Sequence, residues 1–338
     1  MSIAPEASRY RYMDAVRDAI ADEMRADPRV VLLGIDVGAG GGIFAVTRGL
    51  YEEFGPERVR DTPISESGVL GAAVGAAATG LKPIVELMFM DFLGVCFDPL
   101  LNQASKLRYM TGGGLSFPLV VRTQTGAGRS SGAQHSQSLE AIVAHVPGLK
   151  VVLPSTVADA YSLMRSAIRD PDPVVYVENR TLYSRRDVRP DATQEPAPLG
   201  SARVVRPGSD VTVVAWSRMV EVSLEAAETL AGNGVDLEVI DLRSLVPLDL
   251  ATLLESVRRT GRMVVVHEAV QSFGAGAEIA QLVTEHAFDD LRAPVARVGA
   301  PAVPMPFSPP LEALCIPGVD RVVAAVEQTL SRPGGRSQ

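Results

Sequence analysis

Short apolar runs alternate with helical segments along the whole chain, and no other feature restricts the fold as much. Val30-Val-Leu-Leu33, Pro83-Ile-Val-Glu-Leu87, Leu119-Val-Val-Arg-Thr123, Leu149-Lys-Val-Val-Leu153 and Pro173-Val-Val-Tyr-Val-Glu178 are nearly continuous in apolar and β-branched residues. Runs of this kind suit strands covered on both faces. Between them, Met13, Val16, Ile20 and Met24 recur at helical spacing, and Asp27-Pro28 stops that helix. Phe92–Tyr109 reads as another helix, and Pro154-Ser-Thr opens a third with a capping hydroxyl.

The alternation continues in the second half. Strands are expected at Val211–Ala215, Leu237–Asp241, Met263–His267 and Ala296–Gly299, with helices at Val220–Ala231, Leu250–Thr260, Ala275–His286 and Val319–Leu330. The chain turns polar and proline-rich from about Arg185 to Pro207, as a boundary would. At 338 residues two domains are the natural expectation. The reading is an α/β fold with two parallel-sheet domains, at 1–190 and 208–338, joined by a linker at 191–207.

A net charge of −8 argues against a large nucleic-acid or anionic-membrane footprint. The dense basic run Arg180 to Arg189 falls in the proposed boundary and reads as solvated. Cys96 and Cys315 lie far apart in apolar surroundings, with neither a disulfide framework nor a metal-ligand spacing. With no signal pattern and no apolar run of about 18 residues, the expectation is a soluble, cytoplasmic protein.

Ligands in an open parallel sheet gather at the carboxyl ends of the strands. Those ends here lead into Gly34-Ile-Asp-Val-Gly-Ala-Gly-Gly-Gly42, Ser65-Glu66, Met88-Phe-Met-Asp-Phe92, and a loop ending Gly132-Ala-Gln-His135-Ser-Gln137. Glu66 stands where the pattern changes from strand to helix. It is followed by the small-residue segment Gly68–Gly80, which can approach a neighbouring backbone and leave little room for water. Glu66 reads either as a first-turn acid complementing the helix dipole or as a desolvated acid sharing a proton with a bound heterocycle. His135, among polar neighbours, is either a loop histidine or an accessible acid–base group. Phe89, Phe92, Met88 and Met90 could pack the core or form an apolar platform for a ring. His145 and His267 read as structural, and His286 as a surface residue.

The glycine clusters at 38–42 and 274–276 lack the spacing of a dinucleotide fingerprint, and no Gly-x4-Gly-Lys-Ser/Thr phosphate loop occurs. No Gly-Asp-Gly stretch followed by paired asparagines is present, so a metal–diphosphate clamp is not encoded. What remains is a proton-transfer half-site.

Asp61-Thr-Pro-Ile-Ser-Glu66, Ala133-Gln-His-Ser-Gln137, Pro147-Gly-Leu-Lys-Val-Val152, Ser166-Ala-Ile-Arg-Asp170 and Asp241-Leu-Arg-Ser-Leu-Val-Pro-Leu-Asp249 occur in that order. Together they resemble the beta subunits of thiamine-diphosphate-dependent 2-oxo acid dehydrogenases, over roughly Tyr10 to Leu330. Glu86-Leu-Met-Phe-Met-Asp-Phe92 and Asn102-Gln-Ala-Ser-Lys-Leu-Arg-Tyr-Met110 look most like the acetoin dehydrogenase branch. The resemblance implies a transketolase-like pyrimidine-binding domain followed by a transketolase C-terminal domain. It implies a heterotetramer of two alpha and two beta chains, with magnesium and the diphosphate held by the alpha subunit. Glu66 would bond a pyrimidine ring nitrogen, Phe92 would pack on the aminopyrimidine beside Met88, and His135 would assist proton or acyl transfer. A cofactor-bound carbanion would form and its acyl unit pass to lipoamide, with a lipoyl acyltransferase core as a further partner. A potassium ion held by the carbonyls of Leu119, Ala167, Asp170 and Asp172 is also implied.

Two positions depart from the family pattern. Ile35 stands where a glutamate would relay protons between paired active sites, leaving Asp36 as the nearest substitute. Ala302 stands where an aspartate is common. The loss at Ile35 keeps open a split-chain thiamine-dependent carboligase without a lipoyl partner. Retention of Glu66 and His135 argues against a non-catalytic scaffold.

Overall fold

A computed structural model describes residues 10–331 and shows two compact units, residues 10–125 with 142–199, and 126–141 with 200–331. Apart from a short antiparallel pair of Tyr10–Arg11 with Arg186–Asp187, the strands of the first unit are β1 (Val30–Gly34), β2 (Val59–Asp61), β3 (Lys82–Leu87), β4 (Val120–Thr125), β5 (Lys150–Val152) and β6 (Val174–Asn179). They lie side by side in the order β5-β6-β4-β3-β1-β2, every pair parallel. Each crossover therefore returns to the same edge, which brings all the strand C-termini together.

The register aligns the site. Gly34 of β1 is opposite Asp61 of β2 and Glu86 of β3, and Glu86 is opposite Arg122 of β4. Three charged side chains and a glycine thus form one row across the carboxyl ends of four strands.

Helices α1 (Tyr12–Ala26) and α3 (Val157–Arg169) share one core with that sheet, formed by Val16, Ile20, Met24, Leu163 and Met164 against Leu32, Ile84 and Tyr176. Thr156 caps α3 by accepting the Asp159 amide at 3.1 Å. Burying each Leu or Ile here contributes on the order of 1.5–3 kcal/mol. Helix α2 (Glu66–Ala78) buries only Leu70, Ala73, Val74 and Ala77. A Cβ added at Gly71 or Gly75 would meet nothing within 4 Å, so the expected close neighbour is absent among the described residues.

Phe92–Tyr109 is not one helix. Met90–Gly94 is a 3-10 turn, Pro99–Ala104 a π-helical turn, and only Ser105–Met110 is α-helical. Pro99 explains the interruption, since it lacks an amide and takes the first position of a new turn.

The second unit contains β7 (Arg203–Arg206), β8 (Val211–Ala215), β9 (Leu237–Asp241), β10 (Met263–Val270) and β11 (Ala296–Ala300), ordered β11-β10-β8-β9-β7. Four strands are parallel as expected, but β7 pairs antiparallel with β9. Helices α4 (Met219–Ala231), α5 (Leu250–Thr260), α6 (Ala275–Ala287) and α7 (Val319–Ser331) cover it, within two residues of the expected bounds.

The units differ from the sequence division in two places. Residues 191–199 belong to the first unit, where Ala197 donates its amide to the Ser162 hydroxyl and accepts from the Ser166 hydroxyl, each at 2.6 Å. Residues 126–141, with His135, belong to the second. Among the described residues no helix is long and apolar enough to cross a membrane. Both cysteines are free and buried.

Candidate active site

Glu66 is the first residue of α2, directly after Ser65, and its carboxylate is half-buried. It lines a small pocket with Gly34, Ile35, Thr62, Glu86 and Cys96, closed by Val69, Leu70, Val85, Leu87 and Val121. Glu66 accepts no hydrogen bond and forms no ion pair among the described residues. The dehydrated environment expected from the small-residue helix is therefore only partial in this chain, because the glycine face of α2 stays open.

Cys96 connects the pocket to the aromatic residues. Its thiol donates to the Phe92 carbonyl at 3.6 Å. Burial, and then the charge of Glu66, push this thiol up to about 11, so it stays protonated at neutral pH. Phe92 and Met88 follow β3 and are half-buried, outside the residues lining the Glu66 pocket. Phe92 meets Phe89 edge to face at 5.6 Å, and Phe89 meets Phe44 at 5.5 Å and 89°. The Arg180 guanidinium lies 4.6 Å from the Phe44 centroid and 5.8 Å from that of Phe89. The basic run that read as a solvated linker thus begins with a half-buried arginine on an aromatic cluster.

The glycine loop after β1 packs closely against two carboxylate side chains, Asp61 and Glu86. The Gly38 amide donates to Asp61 Oδ1 at 2.7 Å, and a Cβ at Gly38 would lie 2.5 Å from Asp61 Oδ2. A Cβ at Gly34 would lie 3.0 Å from that of Glu86. Gly42 has φ +79 and its missing Cβ points toward Glu86 Oε1 at 3.5 Å. Ile35 faces the pocket, whereas Asp36 is exposed and not part of its lining.

Beneath the pocket lies a charged network. Arg122 bonds Glu86 and donates to Glu178 Oε2 at 3.1 Å and to the Tyr183 hydroxyl at 3.2 Å. Tyr183 in turn donates to Glu178 at 2.7 Å. Arg122 Nε and Glu178 Oε1 form an ion pair at 2.5 Å without hydrogen-bond alignment. Burial alone would weaken the hold of Arg122 on its proton, but Glu178 and Glu86 outweigh it and keep the guanidinium charged. Burial raises Glu178 above the usual carboxylate range, against the opposing pull of Arg122 and Tyr183. Neither the network nor Thr62 was singled out from the sequence. The available signal was a charge inside each of two apolar strands, Glu86 and Arg122.

His135 belongs to the second unit, on a loop fixed by carboxylates. Ala127 donates its amide to Glu268 at 2.6 Å, and Gly128 and Ser130 donate theirs to Glu312 at 2.9 and 3.0 Å. Trp216 donates from Nε1 to Glu140 Oε1 at 3.2 Å, and burial raises Glu140 above the ordinary range. His135 itself is half-buried. His267 is the structural histidine, stacked on Trp216 at 5.3 Å. His145 is exposed rather than structural, and His286 is exposed as expected. Nothing in the structure explains Ala302, which is exposed.

Residues 8–186 match the model of the transketolase pyrimidine-binding domain, and residues 200–322 that of the transketolase C-terminal domain. The chain is 47% identical over 332 residues to the beta subunit of acetoin:2,6-dichlorophenolindophenol oxidoreductase of Cupriavidus necator, covering 95% of this chain and 97% of that one. The chain belongs to the beta-subunit family of thiamine-dependent 2-oxo acid and acetoin dehydrogenases. Within that family it is also 45% identical over 314 residues to the beta subunit of the pyruvate dehydrogenase E1 component of Rhizobium meliloti, covering 93% and 68% of the two chains. A solved structure titled a split gene transketolase, inactive beta4 tetramer, aligns with TM-score 0.77 at 25% identity over 95% of this chain and 98% of that one. Family membership and the two-domain α/β fold agree with the resemblance drawn from the sequence motifs.

Proposed function

We propose that this chain supplies the pyrimidine-gripping half of a thiamine diphosphate site in a 2-oxo acid or acetoin dehydrogenase. The carrying observation is Glu66, a carboxylate in an apolar-walled pocket with no protein partner among the described residues. An acid so placed suits the polar edge of a nitrogen heterocycle. Bound thiamine diphosphate would supply an electron sink that the side chains of this protein lack. Glu66 holds or releases a proton at a ring nitrogen. Phe92 and Met88 provide apolar surface for the ring, and His135 moves a proton during acyl transfer to lipoamide.

Among the described residues no group of three or more His, Cys, Asp or Glu side chains could hold a metal ion. Magnesium and the diphosphate are assigned in this reading to an alpha chain, in an assembly of two alpha and two beta chains, and that partner would complete the exclusion of water around Glu66. A potassium ion on the carbonyls of Leu119, Ala167, Asp170 and Asp172 belongs to the same reading. The Leu119 carbonyl already accepts the Val174 amide at 2.9 Å, and Lys150 engages the Asp170 and Asp172 side chains at 2.7 and 3.3 Å. The likeness to a split transketolase, with Ile35 in the pocket, favours a carboligase without a lipoyl partner as second reading.

The test is Glu66→Gln in the enzyme assembled with its alpha chain. Assembly is expected to persist while exchange of the thiazolium C2 proton is lost, and exchange at the wild-type rate would remove Glu66 from this role. Transfer to lipoamide separates the dehydrogenase from the carboligase.

A further inference from the structure

We propose that Thr62 is a positioning residue for Glu66, its hydroxyl providing the hydrogen bond that orients the carboxylate and favours its charged form. The inference rests on the role of Glu66 proposed above and names the group that sets it.

Thr62 Oγ1 is buried in the pocket wall and has no hydrogen-bond partner among the described residues. Leaving such a group unpaired costs about 1–3 kcal/mol, so a partner belongs in the completed site. The backbone beneath the hydroxyl is fixed. Thr62 donates its amide to the Gly34 carbonyl at 2.9 Å, immediately beyond the register pair Gly34–Asp61. The hydroxyl therefore cannot swing out of the pocket with its loop.

The other polar groups of the pocket are committed. Glu86 is bound to Arg122, and the Cys96 thiol donates to the Phe92 carbonyl. Asp61, next to Thr62, accepts the Gly38 amide. Ile35, Val69, Leu70, Val85, Leu87 and Val121 offer no polar atoms beyond their backbone. Glu66 and Thr62 are the two uncommitted polar side chains lining one pocket, and in the completed site the Thr62 hydroxyl would reach the carboxylate through a small adjustment or one bridging water.

The consequence is electrostatic. The groups facing Glu66 from the packed elements are Glu86, neutralised by Arg122, and Cys96, whose thiol stays protonated. Neither gives Glu66 a positive neighbour of its own. A hydroxyl that donates to a carboxylate stabilises the ionised form.

The test uses the enzyme assembled with its alpha chain, and reads thiamine diphosphate affinity by calorimetry and C2 proton exchange across pH. Thr62→Val keeps the volume and removes the hydroxyl. It is expected to move the Glu66-dependent titration upward by about one pH unit, and to slow exchange about tenfold below the new midpoint. Thr62→Ser, which keeps the hydroxyl, is expected to stay within about twofold of wild type. A Thr62→Val profile that coincides with wild type overturns the proposal. If Thr62→Val does not assemble, Thr62→Ala compared with Thr62→Ser decides in the same way. Glu66→Gln separates the two failures. If it leaves the titration intact, the reading of Glu66 fails, whereas if it abolishes a titration that Thr62→Val does not move, only Thr62 is excluded.

Discussion

Glu86 and Arg122 face one another from adjacent parallel strands with side chains 1% and 0% exposed, and Glu178 reaches the same guanidinium from the next strand. Two carboxylates thus share one cation in the interior of the sheet that carries the Glu66 pocket. Removing the cation leaves both acids buried and uncompensated.

Arg122→Met is accordingly expected to destabilise the first unit by about 3–5 kcal/mol. The loss has a defined pH dependence. Without the guanidinium, both carboxylates acquire folded-state pKa values above their unfolded ones, so the variant is most stable at low pH and weakens as pH rises. Hydrogen exchange in Val120–Thr125, compared at pH 5 and pH 8, measures this. Equal protection in variant and wild type at pH 8 would show the pair to be dispensable.

His267 gives the opposite sign in the second unit. Its ring is buried, accepts no charge readily, and stacks on Trp216, with Nδ1 3.1 Å from the Ala269 carbonyl. Burial lowers its pKa from 6.5 to about 4. The unfolded chain therefore takes up this proton first. The stabilisation is complete above about pH 6.5 and is lost as pH falls toward 4, amounting to about 3 kcal/mol. The sole tryptophan, Trp216, is the natural optical probe of that unit. An imidazole resonance of His267 titrating near 6.5 in the folded protein would rule this account out.

The fold was largely legible because fully buried parallel strands leave a continuous apolar trace, as Val30–Leu33 and Val211–Ala215 do. Elements without that trace escaped. β2 is three residues with two exposed, and β7 is a four-residue edge strand, Arg203-Val-Val-Arg206, inside a polar stretch. Glu66 was visible because it interrupts a strand-to-helix transition. Arg122 and Thr62 were not, since their roles depend on the register between strands distant in sequence and on which neighbours are already bonded. The polar, proline-rich stretch from about Arg185 to Pro207 suggests a boundary with a linker at 191–207, yet Arg165 donates to the carbonyls of Ala192 and Gln194 and fastens that part down.

Glu312 fixes the loop that bears His135, accepting the amides of Gly128 and Ser130 from a side chain buried at 4% exposure. Charge-assisted bonds of this kind are worth about 1.5–3 kcal/mol each. Glu312→Gln retains one acceptor oxygen and is expected to be mild. Glu312→Ala is expected to raise hydrogen exchange across residues 126–132 and to lower acyl transfer about tenfold while leaving C2 proton exchange at Glu66 unchanged. Parallel loss of both activities would point to a collapse of the fold instead.

Ile35 completes the contrast with the Glu66 pocket, where it stands as a wall without a titratable group. A proton arriving at Glu66 has no carboxylate to pass to on that side, and exposed Asp36 does not line the cavity. In the proposed assembly of two alpha and two beta chains, the two active sites are therefore expected to act independently, binding thiamine diphosphate in a single kinetic phase and with one affinity. Ile35→Glu introduces an acid beside Glu66 that, unlike Glu86, has no arginine partner. Like charges in one pocket raise the pKa of at least one of them, so the variant should require higher pH for the same rate of C2 proton exchange. Calorimetry and stopped-flow binding at several cofactor concentrations measure the first effect. Two well-separated phases in the wild-type enzyme would mean that the sites communicate by a route that does not pass through residue 35.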